Sequence, residues 1–198
     1  MTPGSAFWYA SRATGVICLV LFSLVAVLGI LVNQQGRLPG LPRFAVTGLH
    51  RNLSLLMATF LGIHIFTAIA DGYAKIPWLS TVVPFSSGYE RFWAGLGTVS
   101  LDLVAAVILT SLLRHRLAPP MWRAVHWLSY ASYPVAVVHG FGISKDLRSG
   151  WLLAITVASI FAVGSAIGYR VGGAYAAVPR HRRVPQQVAQ ATGRGSVR

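Results

Sequence analysis

Acidic side chains are almost missing from this chain. Four Asp and Glu stand against 17 Lys and Arg in 198 residues, so the formal net charge is +13, while charged residues of both signs reach only 11%. An ordinary soluble domain carries roughly 25%, and that class is excluded. Lysine is scarce too, two residues against 15 arginines, a bias typical of a GC-rich bacterial genome. The single cysteine, Cys18, leaves no partner for a disulfide and no CxxCH segment for a covalently attached haem. The basic residues are spread over loops and the tail rather than gathered on one folded face among aromatics, which argues against a nucleic-acid partner.

What the chain does have is apolar length. Hydrophobic residues make up 55% and the mean hydropathy is +0.61. Five stretches, at roughly 13–34, 50–71, 92–113, 124–143 and 150–169, reach the length of about 20 residues that crosses about 30 Å of hydrocarbon. The expected fold is all-α, a polytopic transmembrane bundle of five spanning helices. Arg12 ahead of the first stretch resembles the start of a secretory signal, but that run is too long and ends in Val32-Asn33-Gln34-Gln35 without a small-residue cleavage site. It reads as a retained helix. Twelve of the 17 basic residues, among them Arg37, Arg51, Arg114, Arg123 and those from Arg170 onward, fall on one side. The positive-inside rule puts that side and the carboxyl terminus in the cytoplasm and the amino terminus outside, as for a multi-pass protein of a bacterial inner membrane.

Two of these stretches carry two histidines each. His50 and His64 are 14 residues apart, which at about 100° and about 1.5 Å per residue sets them within about 40° of one face and about 21 Å apart in height. His126 and His139 are 13 apart, with a similar rise of about 20 Å but about 140° short of alignment on an ideal helix. Pro134 lies between them, and the kink or rewound turn it imposes is the expected correction. The two helices run the same way, so His50 is expected opposite His126 near the cytoplasmic boundary, and His64 opposite His139 in the outer half.

A lone intramembrane histidine is most simply satisfied by a local hydrogen bond. Four in two depth-matched pairs point instead to two haems, each clasped by two imidazoles, and without CxxCH these are haem b. Arg51 and Arg123 adjoin the inner pair, where they either meet haem propionates or serve only as topology charges. Arg12, at the outer edge, either snorkels to the interface or pairs with an outer propionate.

Other features carry weaker signals. Asp102, inside the third helix, needs a partner or a task, with a structural hydrogen bond ranked ahead of a proton relay. Gly95-Leu96-Gly97 lacks the final glycine and preceding strand of a dinucleotide fingerprint and reads as a place of close helix contact. The connection from Gly72 to Arg91 is too apolar for a solvated loop and too broken by proline to span. It is expected at the interface over the outer haem, with Trp78, Phe85 and Tyr89 at headgroup depth. His115 and His181 sit in basic, solvated segments and are poor ligand candidates. Gly164, Gly168 and Gly172 form a small-xxx-small stripe that packs within the bundle or in a homodimer. Residues 171–198 are expected to form a basic, disordered cytoplasmic tail.

Three segments carry a resemblance: Ser11-Arg12-Ala13-Thr14-Gly15, then Leu49-His50-Arg51-Asn52-Leu53 with His64, then Trp122-Arg123-Ala124-Val125-His126-Trp127-Leu128 with His139. Over about residues 8–170 the chain resembles the ferric reductase-like transmembrane domain family. That family includes the membrane portions of ferric reductases and NADPH oxidases and the haem-binding subunit of the bacterial periplasmic methionine-sulfoxide reductase system. The 14-then-13 histidine spacing is the family's, whereas respiratory cytochrome b uses 14 on both helices. The resemblance implies bis-histidine haem at both depths, single-electron transfer across the membrane, and an oxidoreductase component.

Full-length reductases and oxidases of this kind usually add an amino-terminal helix and a cytoplasmic flavin and nicotinamide module. This chain stops soon after its fifth expected helix, so no FAD or NAD(P)H site is expected in it. The donor is then a separate flavoprotein or membrane quinol, and the external acceptor, by the family's name, is ferric iron. The methionine-sulfoxide reductase subunit has arginine where His50 stands, so four histidines here favour two haems over one. A haem subunit of a periplasmic oxidoreductase, and a haem-holding scaffold whose iron never turns over, stand as alternatives.

Overall fold

The computed structural model describes residues 6–33 and 42–176. The loop around Arg37 and the basic tail with His181 lie outside the described residues. The described chain forms six helices: α1 (Ala6–Asn33), α2 (Arg43–Ala70), α3 (Arg91–Leu112), α4 (Pro119–His126), α5 (Ser129–Ile143) and α6 (Gly150–Ala176). Short 3-10 turns sit at Trp78–Thr81 and Asp146–Arg148. Among the described residues there is no strand.

Four helices, α1, α2, α3 and α6, are long and apolar enough to cross a membrane, and this is a multi-pass membrane protein. Large apolar side chains face outward, Phe44 at 79% and Phe161 at 74% exposure, which lipid tolerates and water does not. Buried hydroxyls bond back onto their own helices: Ser23 Oγ donates to the Leu19 carbonyl at 2.7 Å, Thr67 Oγ1 to Ile63 at 2.8 Å and Thr156 Oγ1 to Leu152 at 2.8 Å. Hydrocarbon offers no outside partner, so polar groups must be satisfied internally. Among the described residues no buried side-chain nitrogen or oxygen lacks a partner.

The fourth expected span is not one continuous helix. It is interrupted, α4 giving way to α5 at Trp127–Leu128, and the 15 residues of α5 rise only about 23 Å, short of a bilayer core of about 30 Å. Adjacent prolines, Pro119 and Pro120, start α4, where a missing N–H costs nothing. Across the join the backbone tightens: Leu128 N–H donates to the Val125 carbonyl at 2.9 Å, Tyr130 to Trp127 at 3.1 Å and Ala131 to Leu128 at 3.0 Å. These are 3-10 bonds, and each such residue turns the chain about 120° instead of about 100°. Three or four of them recover about 60–80°, roughly half the angular misfit between His126 and His139. The rewinding therefore begins at Trp127, upstream of the place expected from Pro134, which lies inside α5.

The hub of the bundle is α1, which packs along α2, α6 and α5, while α3 packs on α5 and α4. Contact between α2, which carries His64, and α5, which carries His139, is marginal at most. Leu21, Met57 and Val104, with Phe22 and Ile108 packed against them, form the buried apolar cluster. Met57 is seven residues from both His50 and His64, so this cluster lies between the two histidine levels.

At the end of the bundle that holds His64, the connection between α2 and α3 is pinned down. Thr98 Oγ1 donates to the Ser80 carbonyl at 2.6 Å and Arg91 Nε to the Phe85 carbonyl at 2.6 Å. The Phe85 ring lies on Gly95, where a Cβ would come within 2.1 Å of it. Gly95 and Gly97 thus admit aromatic rings rather than the neighbouring helix backbone that their spacing suggests.

Candidate functional site

Three histidines are seated in the same way. His50 Nδ1 lies 3.1 Å from the carbonyl oxygen of Val25, His64 Nδ1 2.8 Å from that of Ser11, and His139 Nδ1 2.7 Å from that of Trp93. Four residues beyond each carbonyl stands a glycine, Gly29, Gly15 and Gly97 respectively, and the imidazole rests over it. A Cβ at those glycines would lie 3.2, 3.1 and 2.6 Å from the ring Cε1.

Helix geometry explains the recurrence. A helical carbonyl spends one lone pair on the N–H four residues on and keeps a second for another donor. Side chains lean toward the helix N-terminus, so the residue one turn later covers that carbonyl, and glycine leaves it open. Because a carbonyl only accepts, Nδ1 is the protonated nitrogen of each ring and Nε2 keeps its lone pair free for a metal. The 14-residue step from Gly15 to Gly29 on α1 answers the 14-residue step from His50 to His64 on the antiparallel α2.

His126 is held more loosely. Its Nδ1 is 3.5 Å from Ser111 Oγ, at the outer limit of a hydrogen bond, and its ring lies 5.0 Å from that of Trp122 with a 30° tilt. Trp122 Nε1 also donates to Ser111 Oγ, at 3.4 Å. On the facing side, the His50 and His126 ring centres are 6.4 Å apart with planes crossed at 68°. Two imidazoles sharing one metal, with an N–metal bond of about 2 Å on each side, have ring centres about 6 Å apart. His64 and His139 both line one cavity of about 260 Å³.

The remaining sequence-derived residues fall as follows. Arg12 lines that cavity and is already engaged: its Nε donates to Asp146 Oδ2 at 2.8 Å, its Nη2 to Ser144 Oγ at 3.0 Å, and the guanidinium stacks 4.2 Å over Trp8. Arg51 and Arg123 are exposed and make no hydrogen bond or ion pair among the described residues. Asp102 is also exposed and makes no hydrogen bond or ion pair among the described residues. His115 is exposed. Gly164, Gly168 and Gly172 have open space where a Cβ would stand, so the stripe does not pack within the described bundle. Tyr89 lines the cavity from the connection before α3. Burial raises its phenol pKa, the nearby Tyr73, Glu90 and Asp71 push the same way, and Arg12 opposes them.

Sequence reasoning missed the three glycines and their carbonyls as ring seats, although the matched 14-residue steps on α1 and α2 were visible. It also missed Arg170, which donates to Tyr130 Oη and stacks over the rings of Trp127, at 4.8 Å, and Tyr130, at 5.4 Å. That clasp ties the tightened turn after His126 to α6.

Among the described residues no three His, Cys, Asp or Glu side chains gather as a metal site. The candidate ligands His50, His126, His64 and His139 offer two imidazoles at each level, so a metal held between two of them would need further ligands from another source. A porphyrin supplies four nitrogens and leaves two axial positions for imidazole, which fits the donor set. Residues 14–137 match the family model described as "Ferric reductase like transmembrane component", a span that includes His50, His64 and His126 and ends two residues before His139. No curated protein and no solved structure matches the chain.

Proposed function

The chain belongs to the ferric reductase-like transmembrane family, and from that membership we propose that it is a membrane b-type cytochrome carrying single electrons across the bilayer through two bis-histidine haem sites. His50 with His126 would hold one haem, and His64 with His139 the other. The carrying observation is the 6.4 Å separation of the His50 and His126 rings, next to three imidazoles whose Nδ1 is committed to a backbone carbonyl. Bound haem supplies a one-electron iron couple. The protein's part is to present Nε2 of each ring, to hold the two levels apart with the Leu21, Met57 and Val104 cluster, and to surround both with hydrocarbon and satisfied hydroxyls.

The surplus of arginine around Arg51, Arg114 and Arg123 supports placing the His50 level toward the cytoplasm and the His64 level outside. In that orientation Arg51 and Arg123 would be the cations available to propionates of an inner haem, and Arg12, bound to Asp146, the one available to an outer haem. The electron donor is a flavoprotein or membrane quinol, and the acceptor lies outside, with ferric iron as the family's namesake. The exposed Gly164 and Gly168 suit a homodimer contact.

The test is a dithionite-reduced minus oxidised spectrum of the purified protein, with haem counted per polypeptide. Two reducible haems are expected. A colourless product from cells amply supplied with porphyrin overturns the reading, and one haem overturns its two-site form.

A further inference from the structure

The three ring seats recur with one geometry on two different helices, and their strictness differs. A Cβ on Gly97 would lie 2.6 Å from His139 Cε1 and 2.7 Å from its Nδ1, closer than side chains approach, so the ring would have to move. On Gly29 and Gly15 the nearest contacts would be 3.2 and 3.1 Å, which a ring relieves by shifting a few tenths of an ångström. Any such shift is paid in the Nδ1–H···O=C bond, because the carbonyl and the glycine belong to the same turn. Gly62, by contrast, is two residues from His64 on the same helix, and its Cβ would meet nothing within 4 Å.

We propose that Gly15, Gly29 and Gly97 are positioning residues for the haem ligands: each uncovers one helical carbonyl so that it fixes the tautomer, orientation and donor strength of one imidazole. The proposal rests on the haem reading above. A backbone acceptor on Nδ1–H makes the opposite nitrogen a stronger donor to iron and so favours the ferric state. Weakening the bond raises the reduction potential of that haem and turns its ligand plane. The outer site has two such seats, from Gly15 and Gly97. The inner site has one, from Gly29, with His126 left to Ser111 and Trp122.

The experiment compares Gly97→Ala, Gly29→Ala and Gly62→Ala with the unaltered full chain. Haem per polypeptide, the low-spin ferric electron paramagnetic resonance signals and potentiometric titration are the readouts, and circular dichroism checks helix content. Gly97→Ala is expected to raise the potential of one haem and shift its resonance signal, or to release that haem, with the other unchanged. Gly29→Ala should move the other haem, by less, and Gly62→Ala should move neither. If Gly97→Ala binds two haems with both signals and potentials unaltered, or if Gly62→Ala disturbs the site as much, the positioning role is wrong and the haem reading stands. If Gly97→Ala fails to fold, Gly29→Ala, with the milder contact, decides. A haem-free unaltered protein would sink the haem reading itself.

Discussion

Arg12 Nε donates to Asp146 Oδ2 across 2.8 Å, tying the first turns of α1 to the short connection ahead of α6. The pair closes the end of the bundle where His64 and His139 face the cavity. The Arg12 side chain is 26% exposed and that of Asp146 52%, so solvent screens the attraction, and an exposed pair of this kind contributes about 0–1 kcal/mol. Asp146→Asn should therefore lower stability by less than about 1 kcal/mol, with the difference shrinking at high salt. Arg12→Ala also removes the contact with Trp8 and the bond to Ser144, and should cost more. Thermal unfolding in detergent at two salt concentrations checks both.

The two histidine levels should be separable. His64→Ala is expected to remove one haem and leave the other, taking the content per polypeptide from two to one, and His50→Ala should remove the complementary one. Pyridine haemochrome quantification of the two variants, with redox titration to tell the remaining haems apart, makes the comparison. Loss of neither haem in either variant would contradict the ligand assignment.

His126 should prove the most easily disturbed ligand. Its contact with Ser111 is at the limit of hydrogen bonding, so Ser111→Ala should weaken haem retention by less than the 10–100-fold typical of lost outer-shell partners. Trp122→Ala removes an aromatic contact worth about 0.5–1.5 kcal/mol, roughly a 2- to 10-fold loss. Competitive haem transfer to an apo-acceptor protein, followed at the absorbance of each haem, measures the order, Trp122→Ala above Ser111→Ala.

Asp102 contributes no hydrogen bond or ion pair within the described chain. A carboxylate near the centre of a spanning helix costs about 2.5–3.5 kcal/mol on insertion scales, so Asp102→Leu should insert at least as well as the original and unfold no earlier. Haem content should stay unchanged. Membrane-fraction yield and detergent melting test this, and a lower melting temperature for Asp102→Leu would show that the carboxylate has a partner outside the described residues.

Several of these relationships were legible in one dimension. The 14-residue interval of His50 and His64 placed both on one face of α2, and the apolar runs located α1, α2, α3 and α6 to within several residues at each end. The fourth run was read as one continuous span because hydropathy averages over a window and does not sense a local change of winding. At the break, Trp127 and Tyr130 are met by Arg170 reaching across from α6. Those contacts lie 40 or more residues apart for Arg170 and follow no period.

Gly97 is the sharpest case of the same limit. In the sequence it stands in a glycine-containing turn and suggests close contact between helices. In three dimensions its missing side chain is occupied by an imidazole from α5, 42 residues away. A glycine says only that a Cβ is absent, and what enters the space depends on the element packed against it.

Sequence alone determined that this chain is a membrane helical protein and set the spacing of its four candidate histidines, because hydrocarbon thickness and the helical repeat convert composition and spacing into span and height. Tertiary structure decided which nitrogen of His50, His64 and His139 is free, where the fourth helix rewinds, and that Asp102 faces outward. Those are properties of a side chain against a carbonyl or a ring on another helix, and they come into being only when the helices pack.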